Sequence, residues 1–294
     1  MGSSAAKALG AGLLALVLIG IGLLVYFSRP APVPPPGPQA PVPTSTGPVA
    51  VQVGSSVAGR AITAYTYGTG QTNLLFVGGI HGGYEWNSAL LAYQFMDYLS
   101  AHPEAVPANE SITVIPSANP DGVFKVIGKE GRFAVADVPA NPGPLGTGRM
   151  NAHDVDLNRN FDCHWAATST WQGRPESAGT AAFSEPEAQA IRTAITKYKP
   201  SAVVFWHSAS GTVYASECGA GASTQDLAVM NTYATAAGYK TSAVFDAYSI
   251  TGDAEGWLAS IGIPAVTVEL TTHDVVEFDK NLAGAKALFK LYQK

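Results

Sequence analysis

Apolar runs alternate with amphipathic segments along residues 49–294, and this pattern predicts alternating strands and helices. Val49–Val53 and Ala61–Tyr67 alternate apolar and polar positions, as half-buried strands do. Continuous apolar runs predict buried strands over Asn73–Ile80, Ser111–Pro116, Ser201–Trp206 and Ala265–Glu269. Apolar spacing and capping signals predict helices over Ser88–Ala101, Ser184–Tyr198, Thr224–Ala237, Asp253–Ser260 and Leu282–Leu291. Together they indicate an α/β fold with a largely parallel sheet flanked by helices.

The N-terminal part of the chain has a different pattern. A short segment, residues 1–8, precedes residues 9–27, which are uncharged and almost wholly apolar. A run of this length can cross a bilayer, so we predict a transmembrane helix that anchors the protein in the membrane, with a cleaved signal peptide as the alternative. Residues 28–48 are rich in Pro and predict an extended linker. We therefore expect residues 49–294 to lie outside the cytoplasm, at the cell surface or in the periplasm, or to be secreted if the N-terminal segment is cleaved.

Composition limits the kinds of molecule that the protein is expected to bind. The net charge is −5, only 13% of residues are charged, and no block of Lys and Arg occurs, so we expect no nucleic-acid partner. We expect a monomer. The two cysteines are Cys163 and Cys218. An exported domain can keep a disulfide between them, and two reduced thiols are the alternative.

Polar side chains with metal-binding chemistry follow three of the predicted buried strands. His81 and Glu85 follow the first, His207 ends the second, and Glu269 ends the third. Residues at the carboxyl ends of such strands meet at one edge of an open sheet. Two His and one Glu would leave the fourth position of a zinc ion to water, and a further carboxylate could take a proton from that water. Taken singly, each residue is also explained as an ordinary polar strand terminus.

A polar segment between these strands adds further candidates. Arg149 could polarise a carbonyl, and Asp156 could accept a hydrogen bond from a metal-bound imidazole. Asn158 and Arg159 could together clamp a carboxylate, because a guanidinium binds one with two parallel hydrogen bonds. Without the strand-end residues, this segment would be read as a solvated surface loop.

The ordered set of motifs resembles the zinc metallocarboxypeptidases of the carboxypeptidase A type (funnelins), and in particular their bacterial single-domain members. The resemblance covers about Ala61 to Lys294. It rests on His81 and Glu85, Asn119–Gly122, Arg149 before Asp156–Phe161, Phe183–Glu187, His207–Ser208, Tyr248 with Gly252 and Trp257, and Val268–Leu270. It implies a mixed, eight-stranded sheet flanked by helices.

The resemblance also implies the roles of individual residues. His81, Glu85 and His207 would bind one zinc ion, with Asp156 behind them. Glu269 would be the general base and acid, and Arg149 would polarise the scissile carbonyl; Arg132 is a rival for that role. Asn158, Arg159 and Tyr248 would bind the substrate's terminal carboxylate and close over it. One departure is the sequence His-Gly-Gly-Tyr-Glu, one residue longer than the family's usual His-x-x-Glu.

The implied function is removal of the C-terminal residue from peptides with a free C-terminal carboxylate. Glu255 lies at the family's specificity position, so we expect a preference for Lys, Arg or the diaminopimelate of cell-wall peptides, with Asp253 as an assisting residue. Both carboxylates are also explained as the polar start of a helix. Two alternatives to a carboxypeptidase are a related zinc amidohydrolase or deacylase of acylated amino acids, and an inactive peptide-binding domain.

Overall fold

The computed structural model describes residues 47–293, whose strands form one mixed eight-stranded sheet and one separate hairpin. The strands are β1 Val49–Ser55, β2 Ala61–Gly68, β3 Thr72–Val77, β4 Glu110–Ile115, β5 Thr168–Trp171, β6 Arg174–Ser177, β7 Ala202–Ser208, β8 Thr212–Ala215, β9 Lys240–Ser242 and β10 Ala265–Leu270. The order in the sheet is β1-β2-β4-β3-β7-β10-β8-β9, and β5 pairs with β6. The four central strands, β4, β3, β7 and β10, run parallel.

Helices cover both faces of the sheet. They are α1 Trp86–Ala101, α2 Pro120–Ile127, α3 Pro186–Tyr198, α4 Thr224–Ala237, α5 Ala254–Ser260 and α6 Phe278–Tyr292. One apolar cluster joins the sheet to α1, α2, α4 and α6, and a second joins it to α3 and α5. This is the mixed α/β architecture that the sequence predicts.

Strand β7 shows why its sequence reads as an uninterrupted apolar run. Val204 and Trp206 belong to the cluster on one face, whereas Val203 and Phe205 belong to the cluster on the other. Because both faces of a central parallel strand are covered, no alternation of polar residues is possible until the strand ends. The first ionisable side chain of this strand is therefore His207, at its carboxyl end.

Three local predictions are corrected by the structure. The strand predicted over Asn73–Ile80 ends at Val77, and the chain turns at Gly79, which has a positive φ. The turn predicted after Ser117 contains the start of a helix, α2, whose Gly122 N–H is capped by the Asn119 side chain. The capping box expected at Ser184 does not form.

The failure of that capping box has a local cause. The residue that caps α3 is Glu185, and its side chain makes no capping hydrogen bond. The Ser184 hydroxyl donates instead to the Glu185 carboxylate at 2.8 Å. Pro186 at the first helical position fixes the start of α3 without the box.

The predicted membrane anchor over residues 9–27, and most of the Pro-rich linker over 28–48, lie outside the described residues. Within residues 47–293, no helix has both the length and the apolar character needed to span a bilayer.

Candidate active site

A glycine-rich turn after β3 places His81 and Glu85 side by side. A single turn of 3-10 helix, Gly82–Glu85, accommodates the one extra residue between His81 and Glu85. Gly82 has φ +50°, and a Cβ there would lie 2.4 Å from the carbonyl oxygen of Gly148. Only glycine allows this backbone approach. As a result, Nδ1 of His81 lies 2.7 Å from Oε1 of Glu85, despite the longer spacing.

His207 joins this pair from the neighbouring strand β7. Its Nδ1 lies 3.1 Å from Oε2 of Glu85 and 3.3 Å from Nδ1 of His81. All three side chains are buried. In the sheet, His207 is the register partner of Glu269 on β10, so the fourth predicted residue stands directly beside His207.

The donor set fits a zinc ion. Two imidazole nitrogens and a carboxylate oxygen are the ligands of many hydrolytic zinc sites. Two nitrogens that each lie 2.0–2.1 Å from a tetrahedral zinc are separated by about 3.3 Å, which is the separation of the two Nδ1 atoms. Oε2 of Glu85 is buried and accepts no hydrogen bond of good geometry from the described part of the chain.

The charges of these groups are strongly coupled. Burial opposes ionisation of Glu85, but His81 and His207 hold the pKa of its carboxyl well below the usual range. Burial likewise opposes protonation of His207, yet the carboxylates of Glu85 and Glu255 raise its pKa well above the usual value. Glu85 and His207 are therefore each stabilised in the charged form by their neighbours, and a bound cation would replace the proton that the His207 imidazole carries.

Each imidazole has a second carboxylate behind it. Nε2 of His81 lies 3.4 Å from Oδ1 of Asp156, the carboxylate predicted to accept its hydrogen bond, but within the described residues the contact lacks hydrogen-bond geometry. Nε2 of His207 lies 3.2 Å from Oε1 of Glu255, a contact that the sequence did not predict. Thr267 Oγ1 donates to the same Glu255 oxygen at 3.0 Å.

Arg149 lies at the site, and its rival Arg132 does not. Arg149 is buried, and its Nη2 donates to Asp156 at 2.6 Å. Its Nη1 lies 3.9 Å from Oε1 of Glu85, so the guanidinium borders the metal-binding group. Arg132 instead pairs with Asp97 on the exposed surface.

Sequence reasoning missed the hairpin β5–β6, which supplies two further contacts to Arg149. Glu176 accepts a hydrogen bond from its Nε at 3.2 Å, and the guanidinium lies 4.6 Å above the centre of the Trp171 ring. The available signal was Gln172-Gly173, a two-residue turn in which both φ angles are positive. A glycine in such a turn is a common mark of a tight hairpin.

The remaining predicted residues meet in one cavity of about 300 Å³. Its lining includes Asn158, Arg159, Tyr248, Glu255 and Glu269, together with both zinc-site histidines. Nε of Arg159 is buried and has no hydrogen-bond partner within the described residues. Oδ1 of Asn158 accepts from the backbone N–H of Ala254 at 2.8 Å, which fixes the orientation of its amide.

Glu269 is poised for proton transfer. Its Oε2 is buried without a hydrogen-bond partner in the described part of the chain. Burial raises the pKa of its carboxyl to about 8, and the negative charge of Glu85 adds to the effect. The positive charge of a zinc ion beside it would lower this pKa towards neutrality, where a general base works best.

The two cysteines, which the sequence left open, form a disulfide at the wall of the cavity. Cys163 follows the Asn158–Arg159 segment, and Cys218 follows β8. Both residues line the cavity. The cross-link therefore ties two loops together next to the space in which a substrate would lie.

Comparisons with known proteins agree with this site. A sequence model of the family described as zinc carboxypeptidase matches residues 49–278. Zinc carboxypeptidase A 1 of Anopheles gambiae is 31% identical over 158 residues, a match that spans 49% of this chain but only 33% of the mosquito protein.

Solved structures share the fold at low sequence identity. Bovine thrombin-activatable fibrinolysis inhibitor, solved with a tick carboxypeptidase inhibitor, has a TM-score of 0.65 and 19% identity, covering 83% of this chain and 88% of that one. Murein-tripeptide amidase MpaA from Escherichia coli O157 has a TM-score of 0.57 and 20% identity, covering 84% and 92%. The family match extends over most of the chain and includes every predicted metal-binding residue, so the protein belongs to the zinc carboxypeptidase family.

Proposed function

We propose that the protein is a zinc-dependent carboxypeptidase that hydrolyses the last peptide bond of peptides with a free C-terminal carboxylate. One observation carries this proposal: His81, Glu85 and His207 converge within 4.8 Å, and Glu269 and Arg159 line the same cavity. A metal-binding group, a proton acceptor and a carboxylate receptor in one cavity are what terminal peptide hydrolysis requires.

The residues divide the chemistry among them. Zinc held by His81, Glu85 and His207 would supply a Lewis acid that acidifies water and polarises a carbonyl. Glu269 takes a proton from the attacking water and returns it to the amine that leaves. Arg149 donates hydrogen bonds towards the carbonyl oxygen as negative charge develops there.

Substrate binding is assigned to the cavity wall. Arg159 offers a buried guanidinium with an unpartnered N–H, and a terminal carboxylate would satisfy it. Asn158 adds an amide from the adjacent position, and Tyr248 lines the cavity from a segment without regular structure, from which it could close over the substrate. This set recognises the C-terminal end of a chain rather than an internal peptide bond.

Carboxylates that line the cavity support a preference for basic C-terminal side chains. Besides Glu269, the carboxylates of Glu217, Asp253 and Glu255 line it. Glu217, which sequence reasoning missed, is oriented by the N–H of Gly219 at 2.5 Å. We infer that C-terminal Lys, Arg or the free amino group of diaminopimelate in cell-wall peptides is preferred over apolar residues.

The test uses purified full-length protein, loaded with zinc, and peptides that differ only in their last residue. We expect release of one C-terminal Lys, Arg or diaminopimelate, measured by mass spectrometry and abolished by a chelator. The Glu269→Gln variant is the matched control, because it should keep zinc but lose turnover by at least about 100-fold. Equal release of Phe and Lys would refute the basic preference.

Absence of any release from the zinc-loaded protein would refute the carboxypeptidase proposal. Cleavage of acylated amino acids by the same preparation would then favour the deacylase alternative. Peptide binding without cleavage would favour the inactive binding domain.

We further propose that residues 9–27 hold the protein in a membrane with the catalytic domain outside the cytoplasm. The support is the uncharged apolar run itself and the Pro-rich segment that follows it. Protease added to intact cells should remove the catalytic domain from the membrane fraction. Recovery of the full-length protein in the soluble cytoplasmic fraction would refute this proposal.

A further inference from the structure

Glu255 lies in the cavity wall, where its carboxylate could either bind a cation of the substrate or hold His207. Its side chain is 3% exposed, and its Oε1 lies 3.2 Å from Nε2 of His207. The hydroxyl of Thr267 holds the same oxygen at 3.0 Å. An oxygen with two close partners inside the protein is poorly available to a substrate cation.

A role in capping α5 does not explain the position of the Glu255 carboxylate. Asp253 caps the helix, because its Oδ2 accepts a hydrogen bond from the N–H of Gly256 at 2.7 Å. Glu255 is therefore not needed as the cap, and its side chain is directed to His207 on the neighbouring strand β7.

The arrangement repeats what is found on the other side of the metal-binding group. There, Asp156 is fully buried and lies 3.4 Å from Nε2 of His81. In both histidines Nδ1 faces Glu85, and Nε2 faces a carboxylate. A carboxylate that accepts the Nε2 proton fixes the tautomer and leaves the Nδ1 lone pair available to a metal.

We propose that Glu255 is a positioning residue for His207: it holds the imidazole in the tautomer and orientation that bind zinc through Nδ1. This inference rests on the zinc site of the proposed function. Selection of a basic C-terminal side chain then belongs to the other carboxylates of the cavity, Asp253 and Glu217, whose oxygens accept hydrogen bonds from local backbone N–H groups.

The deciding measurement is zinc affinity in the absence of substrate. Zinc-free full-length protein and its variants are titrated with zinc against a chromophoric chelator at one pH. Glu255→Gln should raise the Kd for zinc by about 10–100-fold, because it removes the charge that the imidazole N–H faces. Asp253→Asn is the matched control: it lies in the same cavity, keeps a capping side chain and touches neither histidine, so its zinc Kd should change less than threefold.

Two further readouts separate positioning from a general structural effect. The visible spectrum of the cobalt(II) form should change in Glu255→Gln and not in Asp253→Asn. Thr267→Val, which removes only the hydroxyl that holds Glu255, should weaken zinc binding in the same direction by a smaller factor. This variant also serves as the test if Glu255→Gln lowers the thermal unfolding temperature of the zinc-free protein.

The outcomes distinguish this inference from the proposed function. An unchanged zinc Kd in both Glu255→Gln and Thr267→Val would overturn the assignment. Loss of the Lys-over-Leu preference in Glu255→Gln at saturating zinc would also overturn it, because Glu255 would then contact the substrate. Normal wild-type zinc binding without peptide hydrolysis would refute the proposed function and leave the positioning role intact.

Discussion

At the scale of single residues, one arginine compensates several carboxylates. Arg149 is hydrogen-bonded to Asp156 and Glu176 and lies 3.9 Å from Glu85. Burial opposes ionisation of Asp156, yet Arg149 and Arg159 hold its pKa well below the usual range. Burial and the neighbouring Asp156 raise the pKa of Glu176 to about 8. Arg149, with help from Arg159, therefore supports an ionised Asp156, whereas Glu176 stays protonated at neutral pH.

This division of charge predicts how Glu176 variants behave. At pH 7 Glu176→Gln should keep kcat/KM within about threefold of wild type, because an amide imitates a protonated carboxyl in shape and neutrality. Glu176→Ala should lose at least about tenfold, since it leaves Nε of Arg149 buried without a partner and opens a cavity. Steady-state kinetics of both variants on one peptide at pH 7 provide the check. Equal losses of kcat/KM in Glu176→Gln and Glu176→Ala would show that Glu176 acts as an ionised partner of Arg149.

At the scale of elements, the sequence predicts those strands and helices that the spacing of apolar residues determines. The central strands and the long helices are recovered with small shifts, because both faces of the sheet are buried and their residues are uniformly apolar. Helix α2, the hairpin β5–β6 and the short strands β8 and β9 are missed. Each is short, and each is held by contacts that are distant in sequence. In α2, Gly122 packs against Gly148, and in the hairpin, Glu176 accepts a hydrogen bond from Arg149.

The candidate site also divides into a part that the sequence predicts and a part that it does not. Strand ends and family motifs brought together His81, Glu85, His207 and Glu269. The contact of Glu255 with His207 could not be read from the sequence, because it depends on how α5 lies across the edge of β7 and β10. A helix-start position alone gives no information about which side chain a carboxylate meets.

The disulfide gives a prediction about two loops. It closes a segment of 55 residues, and it lines the cavity without touching the metal-binding group. Replacing both Cys163 and Cys218 by Ser should lower the free energy of unfolding by about 2–4 kcal/mol, because a closed loop of this length restricts the unfolded chain. It should also raise KM, with zinc affinity nearly unchanged.

Urea unfolding and zinc titration of the double variant measure the two effects. Reduced wild-type protein is the control, since it breaks the same bond without changing the sequence. A double variant as stable as the oxidised wild type would contradict this prediction.

At the scale of the whole molecule, function and stability occupy opposite ends of the sheet. The candidate metal-binding and catalytic groups gather at the carboxyl ends of β3, β7 and β10, as in other open α/β sheets. At the other end, the first residue of β4 is Glu110, which is fully buried. Neither of its carboxylate oxygens has a hydrogen-bond partner within the described residues.

Burial without a partner raises the pKa of Glu110 to about 7 in the folded protein, whereas an unfolded Glu titrates near 4.3. The folded state therefore retains this proton over a pH range in which the unfolded state has lost it. The protonated Glu110 carboxyl therefore contributes its full share of the free energy of unfolding below about pH 4.3. That share is lost as pH rises through 7. The urea midpoint of the wild type should accordingly fall between about pH 4.5 and about 7.5, and Glu110→Gln should reduce that fall because its amide does not titrate. The exposed Glu104→Gln, six positions earlier, is the matched control and should keep the wild-type slope. If Glu110→Gln and wild type lose stability in parallel over this range, the buried carboxyl is not the group that titrates, and the pH dependence arises at the catalytic end of the sheet instead.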